Sequence, residues 1–202
     1  MFGIGTNQLQ LDQFKFHFVS ALGSNQQSWG LSYHGKLQHN GVSKDYAPKF
    51  SQGCIVGVYL DLNLGILEFY LNRRSLGVAY TNIPINYENI KFYPMICSTA
   101  AKSVVRLLNC VSLRDTLQLR AFKVLSKNSA LLRELQQLPS LNHLYISYWF
   151  FAAAFEITAK QLAEANKDAL NVRRARKTKF KGTCKIMIKA HKKVRLCFFQ
   201  FR

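Results

Sequence analysis

The sequence has few acidic residues and no long hydrophobic run. Its 202 residues include 10 Asp and Glu against 28 Lys and Arg, which gives a net charge of +18. The longest nearly uninterrupted apolar stretch, from Leu144 to Phe155, has about 12 residues, whereas a membrane-spanning helix needs roughly 20. We therefore predict no membrane partner and interpret this stretch as a buried or partner-facing helix.

The sequence also lacks the pattern of a secreted, disulfide-stabilised protein. It has five cysteines, an odd number, with no C-x-x-C pair and no secretory signal at its start. This usage favours a reducing intracellular compartment. We predict the cytoplasm, the nucleus or both.

Signatures of catalysis and cofactor binding are missing as well. There is no complete dinucleotide-binding fingerprint and no G-x-S-x-G sequence. His34 and His39 flank a predicted hairpin, but no cysteine or acid is spaced to complete a zinc site, and Cys184, His191 and Cys197 match no familiar zinc module. We predict a non-enzymatic protein with no catalytic residue, no cofactor and no metal.

The pattern of residues 1–109 is typical of antiparallel β-structure. Short segments rich in β-branched and aromatic residues alternate with turns such as Asn40-Gly41, which are too short for parallel crossovers. Ile55 to Leu60 is apolar throughout, so both of its faces should be covered, and a two-sheet sandwich would supply that cover. Trp29 is assigned to the core. The predicted strands are residues 2–6, 28–33, 54–61, 66–71, 76–80, 91–98 and 103–108.

After residue 110 the spacing of apolar residues becomes helical. A first helix is predicted with Ser112 as its N-cap, a second over residues 129–137, ending before Leu138-Pro139, and a third from Ser140. Three short amphipathic helices cannot bury their own apolar stripes, so they should either pack on the sandwich or bind a partner. The stripe of the first helix comprises Leu113, Leu117, Ala121, Val124 and Leu125.

Most of the positive charge lies at the end of the chain. Residues 1–151 carry 14 basic and 7 acidic side chains, net +7, whereas residues 152–202 carry 14 basic and 3 acidic, net +11. We predict a helical extension followed by a disordered basic tail. The tail could bind nucleic acid weakly, act as a nuclear-import signal at Arg173 to Lys181, or have no function. In the nucleic-acid alternative, four aromatic residues would stack on bases: Phe180, Phe198, Phe199 and Phe201.

Three motifs carry a resemblance to a known family. They are GSNQQSWGLSYHGKLQHNG at residues 23–41, GILEFYLNRRSLGVAY at 65–80 and FYPMICSTAAKS at 92–103. In order and spacing they resemble the SPRY domain-containing SOCS box protein family over about residues 1–150, and CSTAA at 97–101 resembles one branch of it. The resemblance implies a bent antiparallel β-sandwich at residues 1–110, a helical SOCS box at 111–150 and an extension at 151–202.

The same resemblance implies a function. Members of the family are non-catalytic substrate receptors of a cullin-RING ubiquitin ligase that direct proteins to proteasomal degradation. Their SPRY loops bind short Asn-containing degrons, and their SOCS box binds elongin B, elongin C and a cullin. By position, the implied degron site comprises Phe18, Thr99, Ala100 and Ala101, the implied elongin site Leu113, Leu117 and Ala121, and the implied cullin site Leu138, Pro139, Leu141 and Leu144.

The sequence departs from the family at three places. Leu117 stands where the family has a cysteine, and the second proline of the cullin segment is missing after Pro139. Family members also have several strands before the part that matches Met1 to Thr6, so we expect either a truncated sandwich or a compromised receptor activity. Half a sandwich would leave apolar faces and strand edges open to water, and we expect such a chain to aggregate.

Overall fold

The computed structural model describes residues 1–11, 20–84, 89–98, 104–126, 128–148, 151 and 194–201. These residues form two antiparallel five-stranded sheets, so the predicted β-sandwich is confirmed. The strands are β1 (Phe2–Thr6), β2 (Ser28–Leu31), β3 (Lys36–His39), β4 (Val42–Asp45), β5 (Ile55–Asp61), β6 (Ile66–Leu71), β7 (Arg74–Tyr80), β8 (Phe92–Ile96), β9 (Val105–Leu113) and β10 (Val194–Phe201). The first sheet has the order β4-β3-β2-β1-β8 and the second β7-β6-β5-β10-β9.

Strands β3 and β4 were not predicted from the sequence, although the turn between them was. Asn40 and Gly41 both have positive φ, 51° and 74°, as a two-residue hairpin turn requires, and His39 pairs with Val42 across it. All four residues of β4 are exposed. A strand without a buried face has no alternation of apolar and polar residues from which to predict it.

The core lies between the two sheets and explains why β5 is apolar on both faces. Val56, Val58 and Leu60 point into the core between the sheets. Tyr59 points the other way, into a second cluster that includes Leu119 of the helical segment. The prediction that both faces of this strand are covered is confirmed, but the cover differs: one face meets the opposite sheet and the other meets helices.

The last described strand corrects two predictions. Residues 194–201, predicted to lie in a disordered tail, form β10 at an interior position of the second sheet. The strand pairs with both β5 and β9, and β9 is the last strand of this sheet. Phe198 and Phe199 are buried, with exposed fractions of 6% and 1%, so neither ring can stack on nucleic-acid bases.

Among the described residues, three short helices follow β9: α1 (Leu117–Leu125), α2 (Ser129–Gln137) and α3 (Asn142–Ser147), with a 3-10 turn at Pro139–Leu141 before α3. The bounds of α2 are those predicted. The start of α1 was predicted wrongly, because β9 continues through Ser112 and Leu113, which pair with β10. Thr116 is the N-cap instead, and its hydroxyl accepts a hydrogen bond from the Leu119 amide at 3.1 Å. No helix among the described residues is long and apolar enough to cross a bilayer.

Candidate functional site: the helical groove and its junction with the sandwich

The helices that follow the sandwich enclose an apolar groove. Its volume is about 120 Å³. Phe122, Leu132 and Tyr145 are buried together and hold the helices against one another. The groove therefore lies on a packed scaffold. It is lined by Gln118, Ala121, Phe122, Leu125, Leu135, Leu141, Leu144 and Tyr145.

The structure separates the residues predicted to bind elongin and cullin into two groups. Ala121 from the elongin set and Leu141 and Leu144 from the cullin set line the same groove. The other residues of both sets are not among those that line it. Leu113 lies in β9 and packs partly buried against the Tyr59 cluster, as the alternative of packing on the sandwich anticipated. Leu117 is the first residue of α1 and is 84% exposed.

At the predicted cullin segment, the prediction of a helix from Ser140 needs a small correction. Leu138 ends α2 as its C-cap and is 48% exposed. Pro139 begins the 3-10 turn, and α3 starts only at Asn142. Proline fits the first turn of a helix, where its missing N–H has no partner to lose.

The predicted degron residues lie outside the described part of the chain. Phe18 falls within residues 12–19, and Thr99, Ala100 and Ala101 fall within 99–103. The elements that carry the second segment are described: β8 ends at Ile96 before it, and β9 begins at Val105 after it. The degron assignment therefore stays a prediction from the family resemblance.

A buried ion pair joins the helices to the sandwich. Lys123 of α1 places its Nζ 2.6 Å from Oδ2 of Asp61, the last residue of β5, which is only 4% exposed. The same oxygen accepts a hydrogen bond from the Tyr59 hydroxyl at 3.2 Å, and Oδ1 accepts from the amides of Asn63 and Leu64 at 2.9 and 3.2 Å. These bonds use the full acceptor capacity of the carboxylate.

This environment determines the ionisation of Asp61. Burial alone would raise the pKa of this carboxyl, but the hydrogen bond and charge of Lys123, helped by two backbone amides, lower it below its ordinary value. Burial, together with the charge of Asp61, raises the pKa of Tyr59, which stays protonated and donates its hydrogen bond. Lys123 also lies 5.9 Å and 5.7 Å from the ring centroids of Tyr59 and Phe151. At this junction the Asp61 carboxylate is therefore fully hydrogen-bonded, and aromatic rings lie next to the ion pair.

The sequence analysis missed this junction, although one signal pointed to it. Asp61 directly follows an apolar run that was predicted to be buried on both faces. A charged residue at the end of such a strand needs a partner, because an unpaired buried charge is costly. Lys123 carries no comparable signal, since it is one of many basic residues, and α1 meets β5 only in the tertiary structure.

Of the two histidines considered for a zinc site, His34 is exposed in the turn between β2 and β3, and His39 is the last residue of β3. His39 stacks on Trp29, with ring centroids 4.7 Å apart, and its Nδ1 lies 2.8 Å from the Ser28 carbonyl oxygen. Trp29 is 5% exposed and belongs to the core, as predicted. Within the described ranges, no three His, Cys, Asp or Glu side chains lie together in a way that could hold a metal ion.

The chain is similar to known proteins whose names include a SPRY domain. The chain is 46% identical over 118 residues, 58% of its length, to SPRY domain-containing SOCS box protein 3 of Xenopus tropicalis, and 45% identical to the protein of that name in Xenopus laevis. It is 31% identical over 113 residues, 52% of its length, to F-box/SPRY domain-containing protein 1 of Drosophila mojavensis. The match covers 32% of each frog protein and 42% of the fly protein, so the chain spans less than half of these relatives.

The family comparison agrees with the described sandwich. The SPRY domain model matches residues 1–110, which include β1 to β8 and most of β9, whereas the helices and β10 lie outside the match. Since this match covers more than half of the 202 residues, the chain belongs to the SPRY domain family.

Proposed function

We propose that this chain is a non-catalytic substrate-recognition subunit of a ubiquitin ligase, acting in the cytoplasm or nucleus. The observation that carries the proposal is an open apolar groove on helices docked directly behind a SPRY sandwich. The names of the relatives add support, because each joins a SPRY domain to a SOCS box or an F-box. In this function the sandwich selects the substrate, and the helices bind the rest of the ligase, namely elongin B, elongin C and a cullin.

The groove fits a partner that inserts apolar side chains. Its lining is almost wholly aliphatic or aromatic, with Gln118 as its one amide. Ala121 is small and exposed, so its side chain fills little of the groove. Next to it, the exposed Leu117 extends the apolar surface along α1. An amphipathic helix of elongin C would bury its apolar side chains in such a groove.

Filling the groove should weaken elongin binding. We expect Ala121→Arg to weaken the affinity for the elongin B–elongin C pair by about tenfold or more, because the long side chain occupies the groove and places a charge among apolar groups. Titration calorimetry with purified elongin B–elongin C measures the effect. Val124→Arg is the matched control, since Val124 lies on the same helix, is 67% exposed and does not line the groove. An equal loss of affinity in both variants, or no loss in either, would contradict the proposal.

For the substrate, we propose a short Asn-containing degron bound by the loops of the sandwich at Phe18, Thr99, Ala100 and Ala101. The argument rests on the family resemblance and on side-chain size. Small residues at 100 and 101 let a peptide backbone approach closely, and an Asn amide needs the donors and acceptors that loop backbone groups supply. Loops presented by a rigid sandwich are a common place for such recognition.

A bulky residue in this loop should block the peptide. We expect Ala100→Trp in the full chain to lower the affinity for an Asn-containing degron peptide by about tenfold or more, with little dependence on salt. Fluorescence anisotropy of a labelled peptide at low and high ionic strength measures it. Val42→Trp, at a 69% exposed position of β4, is the control that adds the same ring elsewhere. Equal binding by all three proteins would remove the loop from the site. Binding that weakens steeply as the salt concentration rises would favour the basic residues as the main contact with the peptide.

A further inference from the structure

The position of β10 is unusual for a strand so distant in sequence from its neighbours. Turns connect β5 to β6 and β6 to β7, but 80 residues separate the end of β9 at Leu113 from the start of β10 at Val194. Even so, β10 lies between β5 and β9 and pairs in antiparallel register with both, from Val194 opposite Asp61 to Gln200 opposite Ile55 on one side. The strand therefore occupies a slot in the sheet, and no short loop holds it there.

β10 contributes to the packing on both faces of the sheet. Cys197 and Phe199 point into the core between the sheets, where the Phe199 ring lies 5.8 Å from that of Phe2. Phe198 points the other way and packs on Tyr70 at a ring distance of 6.4 Å, under the helices. Without β10, β5 and β9 would each lose a partner strand, and both clusters would lose an aromatic ring.

One covalent bond ties β10 to its slot. Cys197 stands directly opposite Cys110 of β9, the Cα atoms are 4.1 Å apart, and the two sulfurs form a disulfide. Cys197 is 2% exposed, so the bond is shielded while the strand is in place. Cys54, in contrast, belongs to no disulfide among the described residues. The bond closes a loop of 87 residues, the sequence separation of the pair.

We propose that β10 is a detachable strand and that the Cys110–Cys197 pair is a reversible disulfide that locks it in its slot. In the locking step the thiols of Cys110 and Cys197 each give up a proton, and the new S–S bond forms between them. The two electrons released by this oxidation reduce the S–S bond of a low-molecular-weight disulfide, such as glutathione disulfide. That disulfide takes up both protons and becomes two thiols. Reduction by the same thiols reverses the step when β9 and β10 open together and expose the bond.

The lock should change how often the strand opens. A cross-link across a loop of this length restricts the open state strongly, so the opening equilibrium of β10 should rise by about 10²–10³-fold when the bond is reduced. In the oxidised chain the strand can leave its slot only together with β9. In the reduced chain it can leave alone, and it then exposes the edges of β5 and β9.

The test uses the full chain in glutathione buffers of graded redox ratio. Hydrogen exchange of residues 194–201 is followed by mass spectrometry, and each sample is alkylated and digested to identify linked cysteines. We expect a peptide linking Cys110 to Cys197 in the oxidised chain, and exchange of β10 that is about 10²–10³-fold faster in the reduced chain. Cys54→Ser, which leaves the pair intact, should keep this redox dependence.

The variants Cys110→Ser and Cys197→Ser should lose the redox dependence and exchange as the reduced chain does in both buffers. If either variant fails to fold, the mapping of the disulfide and the exchange of the wild-type chain still decide the question. Linkage of Cys197 to another cysteine would overturn the proposal. So would equal exchange of residues 194–201 in samples whose Cys110–Cys197 bond is shown to be formed and broken.

Discussion

Replacing Phe199 by Ala should lower the free energy of unfolding by about 3–5 kcal/mol, the range for deleting a buried aromatic ring. Phe199 is 1% exposed and lies in the core between the sheets, against Phe2. The loss combines the transfer of the ring to water with the cavity left behind, because a close-packed core relaxes only partly. Chemical denaturation of the full chain, followed by tryptophan fluorescence, measures the change.

The matched control for this variant is Val78→Ala in β7. Val78 is 51% exposed, so its truncation should change stability by no more than about 0.5 kcal/mol. A similarly small effect at Phe199 would mean that β10 is not in the sheet, because a ring in a solvated tail has no packing to lose.

The second large effect is expected at the junction between the helices and the sandwich. Lys123→Ala should cost about 3 kcal/mol, near the low end for breaking a buried ion pair because the Lys123 side chain is 27% exposed. The variant leaves the Asp61 carboxylate buried without its cation, although the amides of Asn63 and Leu64 and the Tyr59 hydroxyl remain. Thermal and chemical denaturation at neutral pH measure the loss.

The pH dependence of this loss has a definite sign. The folded-state pKa of Asp61 is lowered, so its contribution is present in full above the unfolded pKa of about 3.9 and is lost as pH falls through the folded pKa. Lys123→Ala removes the cation that does most to lower the pKa of Asp61, so the folded-state pKa should rise relative to the wild type and less of this contribution should remain at neutral pH. The difference between the two proteins should therefore be largest at neutral pH and shrink below about pH 4.

A double-mutant cycle separates the ion pair from simple packing. Asp61→Asn keeps the shape of the side chain and removes the charge, and Lys123→Met keeps most of the aliphatic chain. The double variant should lose less stability than the sum of the single variants, because it leaves no unpaired buried charge. Strict additivity would show that the two residues act independently.

The sequence was sufficient to predict the sandwich because β1, β2 and β5 to β9 have the local composition of strands. Ile55 to Leu60 indicates a strand covered on both faces by its composition alone, and Asn40-Gly41 predicts a hairpin turn. That helices cover the second face of this strand could not be predicted, because this contact joins Tyr59 and Leu119, which are 60 positions apart in the sequence. Pairing between distant segments leaves no periodicity in either one.

The errors in the predicted helices and tail have a common cause. Ser112 is a good N-cap in isolation, but in the structure it pairs with Arg195 and stays in β9. The dense positive charge around β10 favoured disorder, whereas the short stretch Cys197, Phe198 and Phe199 is apolar enough to be buried in the sheet. Of the candidate site, the sequence predicted apolar residues on the helices, and the tertiary structure decides that Ala121, Leu141 and Leu144 share one groove while Leu113 does not.

The interior position of β10 also affects the order of events during synthesis. The ribosome makes residues 114–193 after β9 and before β10, which takes about 4–16 s at roughly 5–20 residues per second. For that time β5 and β9 are already translated, while the strand that pairs with both has not been made. Nascent chains on one polysome would thus display matching unpaired edges to one another, so a chaperone that shields extended apolar segments would act on this protein mainly before β10 emerges.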